Sequence, residues 1–394
     1  MPTKRKYSLP KQTHKKKNKT RKKKKHIKIT CDFESGNCKI LNITTKNNKD
    51  YYVKLTKNSE PYPKHIKRKY ENWFYFKVSN CKNKNITFDF KYLKYFQNEF
   101  VGYTTCYSYD NKIWKRTPTT IKKDNIIWSF TPKKNTMWFA YYAPYITKRK
   151  NKLMKIMKKK SHTTYKVLGL TNMKQKIDML KIGNGDKHMF IVARQHPGET
   201  VGSFMAEGLL KEFFEPKHKK KRNEFVKKYT LNIIPMCNPD GVYLGHWYTN
   251  KIGCNLNRNW QKRRCVENQI ILDKFGYHKY GVLYIDLHGD EGANNHFITQ
   301  GSPKPNPVYN LFNKTINKID KHFQLKDHYE KEEDRGKKNK FGIWGTYDCK
   351  WKNGMTIEAC MKHPLYKNLN SIEEETIKVG RNICKTIFNI SHLL

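Results

Sequence analysis

Four ionisable residues stand at spacings that chemistry can use. His196 and Glu199 lie three residues apart in "IVARQHPGET", directly after an apolar run; His288 follows "GVLYIDL", and Glu358 closes "GMTIE". Two histidines and a glutamate suit zinc, which in catalytic sites takes three protein ligands and keeps a fourth position for water. His196 and Glu199 are about one helical turn apart, so both can face one ion, with His288 as the distant third ligand. Glu358 would then be the base that takes a proton from the water and hands it to a leaving amine. Each member is weak alone. In a chain with 15 histidines, a lone HxxE is more often a charged pair where a strand turns into a helix, and a lone histidine is more often a buried, hydrogen-bonded one. Their joint placement carries the reading.

That placement depends on the surrounding elements. From residue 164 onward, strands are expected at "HMFIVA" (188–193), "YTLNIIPM" (229–236), "GVLYIDL" (281–287) and "GMTIEA" (354–359), with helices at about 199–214, 306–322 and 371–388. Continuous apolar strands between amphipathic helices predict a sheet covered on both faces. In such sheets chemistry collects where strands end, and all four residues sit at such ends. Residues 28–146 have another texture. "YYVKL", "NWFYFKV", "NITFDF", "VGYTTCYSYD", "NIIWSFT" and "MWFAYYAPY" alternate aromatic and β-branched residues with polar ones, as in an antiparallel β-sandwich. "SYDNKIWKR" (108–116) predicts a hairpin turning at Asp110 and Asn111. The expected fold class is therefore α/β: an N-terminal antiparallel β-sandwich, then a domain with a mixed, mostly parallel sheet between helices. Residues 147–163, "TKRKNKLMKIMKKKSHT", read as a basic linker or an exposed basic helix, and 164–394 as the catalytic domain.

Charge is the compositional outlier: 81 Lys plus Arg against 33 Asp plus Glu give a net charge of +48. Such an excess points to nucleic acid, an anionic surface or an acidic substrate, although lysine and asparagine are abundant in every loop, as in a general compositional bias. Residues 1–27 are rich in like charge and poor in apolar groups, so disorder is expected there. A tail of this kind suits non-specific nucleic-acid contact or a nuclear address, and equally a solvated extension. The ten cysteines include no CxxC pair, and read as reduced thiols rather than a zinc ribbon or disulfide framework. No apolar run approaches the roughly 20 residues of a membrane span, and the N-terminus lacks the apolar core of a secretory signal. A soluble, cytoplasmic chain with no membrane partner is expected.

"ARQHPGET", "IPMCNPDGVYLG", "NLNRNW" and "YIDLHGDEG" together resemble, in order and spacing, the M14 metallocarboxypeptidases, specifically the cytosolic branch that removes glutamates from protein tails. "CDFESGN", "NWFYFKV", "YSYDNKIWKR" and "FAYYAPY" resemble the β-sandwich that precedes the catalytic domain in that branch, so the resemblance spans residues from about 30 to 388. It implies an α/β/α carboxypeptidase domain with one zinc ion per chain on His196, Glu199 and His288, and Glu358 as general acid and base. It also implies that Asn257 and Arg258 hold the substrate's terminal carboxylate, a task that suits a guanidinium because it binds carboxylate through two parallel hydrogen bonds. The implied substrates are acidic protein or peptide C-terminal tails, polyglutamate or tubulin-like. Asn238, Pro239, Asp240 and Gly241 read as a turn.

One position departs from the family. Between "NPDG" and "NLNRNW" these enzymes carry an arginine that steadies the oxyanion, and the register puts Tyr248 there. Loss of one oxyanion donor typically costs about 10² to 10³ in rate. Tyr248 could donate through its hydroxyl, and Lys251 or Arg335 could supply charge. Arg335, Lys338 and Lys340 are also the candidates for a cation that meets a glutamate side chain. Two alternatives follow: a weakened or inactive relative that binds acidic tails or nucleic acid, and a zinc hydrolase of acyl amino acids. The β-sandwich and the "HPGET" form argue against the second.

Overall fold

The computed structural model describes residues 25–64, 71–91, 100–123, 125–275, 281–300, 307–325 and 353–394. Most of the expected basic tail lies outside these residues. Its last apolar member, Ile27, is buried in the core that follows.

Among the described residues, ten strands build the N-terminal part: β1 (Lys28–Thr30), β2 (Lys39–Thr45), β3 (Asp50–Thr56), β4 (Tyr75–Ser79), β5 (Asn85–Lys91), β6 (Thr105–Ser108), β7 (Lys115–Thr117), β8 (Thr120–Lys122), β9 (Asn125–Phe130) and β10 (Thr136–Ala140). They form two five-stranded sheets, in the orders β1-β4-β10-β6-β7 and β2-β3-β5-β9-β8. Alternate residues face inward, so Phe76 of β4 and Phe139 of β10 meet Phe88 of β5, with Phe88 and Phe139 centroids 4.8 Å apart. The predicted hairpin joins β6 to β7. Asn111 takes φ 59°, and Asp110 Oδ1 accepts the N–H groups of Lys112 and Ile113 at 2.9 Å. The sandwich is not wholly antiparallel, because β3 and β5 pair in parallel. The chain crosses to the other sheet as β4 between them, which lets both run the same way.

Of the two readings of residues 147–163, a linker or a basic helix, the structure shows a helix over most of the segment. Thr147–Met157 form helix α1, whose Leu153, Met154 and Met157 are buried, and Lys150 is buried against Asp178 at 2.5 Å. Apart from Lys150, the helix's lysines are the solvent face of an amphipathic helix.

The second part contains β11 (Thr163–Leu170), β12 (Lys176–Ile182), β13 (Lys187–Ala193), α2 (Val201–Phe213), α3 (Lys219–Lys228), β14 (Tyr229–Ile234), α4 (Pro239–Leu244), α5 (Val266–Phe275), β15 (Gly281–Asp290), β16 (Phe297–Gln300), α6 (Pro307–Ile319), β17 (Gly354–Cys360) and α7 (Ile372–Ile390). A division at residue 164 therefore falls inside β11. Seven strands form one sheet in the order β11-β12-β14-β13-β15-β17-β16. The pairings among β14, β13, β15 and β17 are parallel, and those of β11, β12 and β16 are antiparallel. Both faces are covered: Met189, Ile191 and Ala193 of β13 share a core with Leu209 of α2 and Ile383 of α7, while Phe190 and Val192 pack with Trp260 and with Ile271 and Leu272 of α5. Each such side chain contributes about 1.5–3 kcal/mol on burial. No helix among the described residues is long and apolar enough to cross a membrane.

Candidate active site

Arg194 directly follows β13 and turns the chain at φ 63°. Its guanidinium is 1% exposed and donates to Pro197 O at 3.0 Å, Tyr145 O at 3.0 Å and Ser203 Oγ at 3.3 Å, which ties the turn to the start of α2. Burial pushes its pKa down to about 9. This turn presents His196 and Glu199 at the end of β13. His288 is not beyond its strand as expected but inside β15, where it stands directly across from Glu358 of β17 in the parallel register.

The three candidate ligands meet. His196 Nδ1 lies 2.6 Å from Glu199 Oε1 and His288 Nδ1 lies 2.8 Å from Glu199 Oε2; one ligand atom from each falls within 4.8 Å of the others, and all three residues are buried. The outward nitrogens are held from behind, His288 Nε2 by Asp286 Oδ2 at 3.0 Å and His196 Nε2 by Asn255 Oδ1 at 3.3 Å. With a cation at the shared point, these acceptors would take the Nε2 protons and the Nδ1 lone pairs would face the ion, the arrangement that metal-binding histidines use. Two imidazoles and a buried carboxylate form a donor set that fits zinc. Electrostatics agree with a cation at this point. Burial opposes ionisation of Glu199, but the two imidazoles hold its carboxyl well below the usual range. Burial likewise opposes a proton on His288, yet Asp286 and Glu199 hold its pKa well above that of a free imidazole. For His196 burial wins and its pKa falls. Glu358 is half-buried; loss of solvent raises its pKa, opposed by His288 and reinforced by Glu199, Asp290 and Asp286.

Asn257 and Arg258 sit in a 3-10 turn, Leu256–Arg258, beside this cluster. Arg258 is half-buried and its positive charge helps to lower the pKa of His196. It makes no ion pair among the described residues; its guanidinium donates to Asn257 O at 3.1 Å. A disulfide, Cys254–Cys265, brackets the same motif and corrects the expectation of reduced thiols throughout. The two cysteines stand 11 positions apart in the sequence, and only the folded loop reveals the pairing. Tyr248 lies beside the cluster, its ring stacked on His196 at 4.0 Å and 19°. Lys251 lies on the exposed tip of the next turn, with no hydrogen bond or ion pair to the cluster among the described residues. Arg335, Lys338 and Lys340 lie outside the described residues.

Other residues at the site were not singled out from the sequence. Asp286 is two residues before His288 on one strand, and so on the same face; that spacing was an available signal. Gln195 donates to Asp286 and accepts from Trp260 Nε1 at 2.8 Å. Asn238 holds Gln195 O at 3.1 Å and caps α4 through Gly241 N at 3.0 Å, so "NPDG", expected as a turn, is instead the capped start of a helix under the site.

Two family models match the chain: the cytosolic carboxypeptidase N-terminal domain over residues 29–142, and zinc carboxypeptidase, peptidase M14, over residues 151–355. The chain belongs to the M14 zinc carboxypeptidase family. As such it is a hydrolase of the metallopeptidase class. Among its relatives, an uncharacterised protein of Zymomonas mobilis is 30% identical over 321 residues, 78% of this chain and 80% of that one. Cytosolic carboxypeptidase 6 is 26% identical over 305 residues in Caenorhabditis elegans (69% of this chain, 64% of that one) and 26% over 311 residues in Homo sapiens (70% and 59%). The carboxypeptidase thus spans about three-fifths of the length of those two relatives. In fold it is similar to a metallo-carboxypeptidase from Burkholderia cenocepacia (TM-score 0.83, 21% identity, covering 94% of this chain and 100% of that one). It is also similar to one from Pseudomonas aeruginosa solved with (2-guanidinoethylmercapto)succinic acid (TM-score 0.80, 23% identity, 93% and 99%).

Proposed function

We propose that this carboxypeptidase removes C-terminal glutamate from acidic protein tails, with one zinc ion held by His196, Glu199 and His288. The observation that carries the reading is the buried His196–Glu199–His288 cluster, with Glu358 on the adjacent strand and the half-buried Arg258 beside it. Bound there, zinc would supply Lewis acidity that polarises a carbonyl and acidifies water. Arg258 and Asn257 take the terminal carboxylate, which fixes the chain end and places the last peptide bond over the cluster. Glu358 takes the proton of the attacking water and returns it to the departing amine nitrogen; its raised pKa makes it a stronger base than a solvated carboxylate. Asp286 and Asn255 keep the imidazoles oriented. Tyr248 stands where the family's arginine is expected, and its ring is engaged with His196. A turnover about 10² to 10³ below that of arginine-bearing relatives is therefore expected.

An acidic substrate class is supported by the net charge of +48, which draws polyanions toward the chain. A cytoplasmic setting and tubulin-like tails go with that reading. A non-catalytic binder of acidic tails or nucleic acid would need neither Glu358 nor a clamp for one terminal carboxylate. The test is mass spectrometry of a peptide ending in glutamates, incubated with the zinc-loaded chain. Stepwise one-residue shortening that a chelator blocks is expected, and a leucine-ended peptide should be a poorer substrate. An intact glutamate peptide would sink the proposal.

Asp286→Asn probes the support of the metal cluster. The amide keeps the shape but loses the charge that faces His288 Nε2, and zinc affinity should fall by about 10–100-fold, as chelator competition would report. Unchanged affinity would remove Asp286 from the site.

A further inference from the structure

Glu60 belongs to the N-terminal part, yet it is buried against the catalytic one, with 5% of its surface exposed. Its carboxylate collects three successive backbone N–H groups. Trp247 N donates to Oε1, Tyr248 N donates to Oε2 at 3.0 Å, and Thr249 N donates to Oε2 at 2.9 Å, joined by the Thr249 hydroxyl at 2.9 Å. Consecutive amides converging on one anion make a nest, and each bond is strengthened by the charge. The segment that carries Glu60 is itself anchored: Glu60 N donates to Glu71 Oε1 at 3.2 Å, and Glu71 pairs with the buried Lys57 at 3.6 Å.

Two paths lead from this nest to the metal cluster. Gly198, between His196 and Glu199, donates its N–H to Trp247 O at 2.9 Å. The Trp247 indole packs so closely on Gly198 that a Cβ there would lie 2.1 Å from Cε3, so no larger residue fits without moving the turn. The second path is the Tyr248 ring, stacked on His196. Whatever sets the backbone of residues 247–249 also sets the turn and one face of a candidate ligand.

We infer that Glu60 is a positioning residue of the active site, through which the N-terminal β-sandwich holds the Trp247–Thr249 loop and, by way of Gly198 and Tyr248, the His196–Glu199 turn. The inference rests on the zinc reading of that turn. It gives the sandwich a part in metal binding, and it predicts that the catalytic part separated from residues 57–71 loses this arrangement.

The test compares full-length Glu60→Gln with Val53→Ala, which removes buried volume from β3 in the sandwich core without touching the loop. Amide hydrogen exchange of peptides covering 244–252 in the metal-free chains reads the loop directly. Zinc affinity by chelator competition and the visible spectrum of the cobalt-loaded chain read the turn. Glu60→Gln should exchange at least about tenfold faster over 247–249, bind zinc about tenfold more weakly and shift the cobalt spectrum. Val53→Ala should do none of these at a matched loss of melting temperature. Exchange and affinity within about twofold of the unaltered chain, or the same losses in Val53→Ala, would overturn the inference. Should Glu60→Gln fail to fold, Thr249→Val removes one bond of the nest, and a smaller change in the same direction is expected; none would overturn the inference. If the unaltered chain takes up no zinc, the zinc reading fails by itself, while exchange in the metal-free chain still decides what Glu60 does to the loop.

Discussion

Glu358→Gln should leave zinc bound at one ion per chain and cut glutamate release by about 10² to 10⁴. Glutamine matches glutamate in shape, so β17 should keep its parallel register with His288 and the metal ligands should stay in place. What it lacks is a site for the water's proton. Glu358 lies among groups that mostly oppose its ionisation: loss of solvent first, then Glu199, Asp290 and Asp286, with His288 opposing them. A carboxyl in that setting binds a proton readily, as the proposed role requires. Metal analysis together with mass spectrometry of a glutamate-ended peptide would check it. Release within tenfold of the unaltered chain, at equal zinc, would give the base to another residue.

The second large effect is expected at His288. Replacement by alanine removes one of three ligands and should lower zinc affinity by more than the roughly 100-fold at the upper end of what loss of a supporting residue costs. Activity should vanish with the metal. Chelation of the unaltered chain should give the same loss, reversed by added zinc, whereas His288→Ala should not recover at the same zinc concentration. The variant should also be less stable. Glu199 Oε2 and Asp286 Oδ2 are 2.8 and 3.0 Å from the imidazole and both residues are buried, so its removal leaves two carboxylates without their shared partner. Uncompensated buried charge costs about 3–5 kcal/mol. Metal content and a thermal melt separate the two effects. A folded, zinc-saturated His288→Ala would refute the ligand assignment.

The layout of this site was largely legible from local pattern. Apolar runs at 188–193, 281–287 and 354–359 are strands, and the residues after or within them converge because parallel neighbours end at the same edge of a sheet. Elements without a strong period were not anticipated. β11 and β12 carry lysines through "TTYKVLGL" and "KIDMLKI", and β11, at the sheet's edge, is mostly exposed, so hydrophobicity alone does not mark it. At helix α1 the lysines allow either a linker or an exposed basic helix, because all of them but Lys150 lie away from its buried face.

By itself the sequence determined which residues could act and roughly where along the strands they stand, because side-chain type and periodicity are local properties. Only the tertiary structure decided their partners. Asp286 behind His288, Asn255 behind His196, Tyr248 stacked on His196, the Cys254–Cys265 bridge and the grip of Glu60 on residues 247–249 are facts of packing. Most of them join residues far apart in the chain. A periodic pattern states which face of an element is buried, but the group it is buried against is chosen by the folding of the whole molecule.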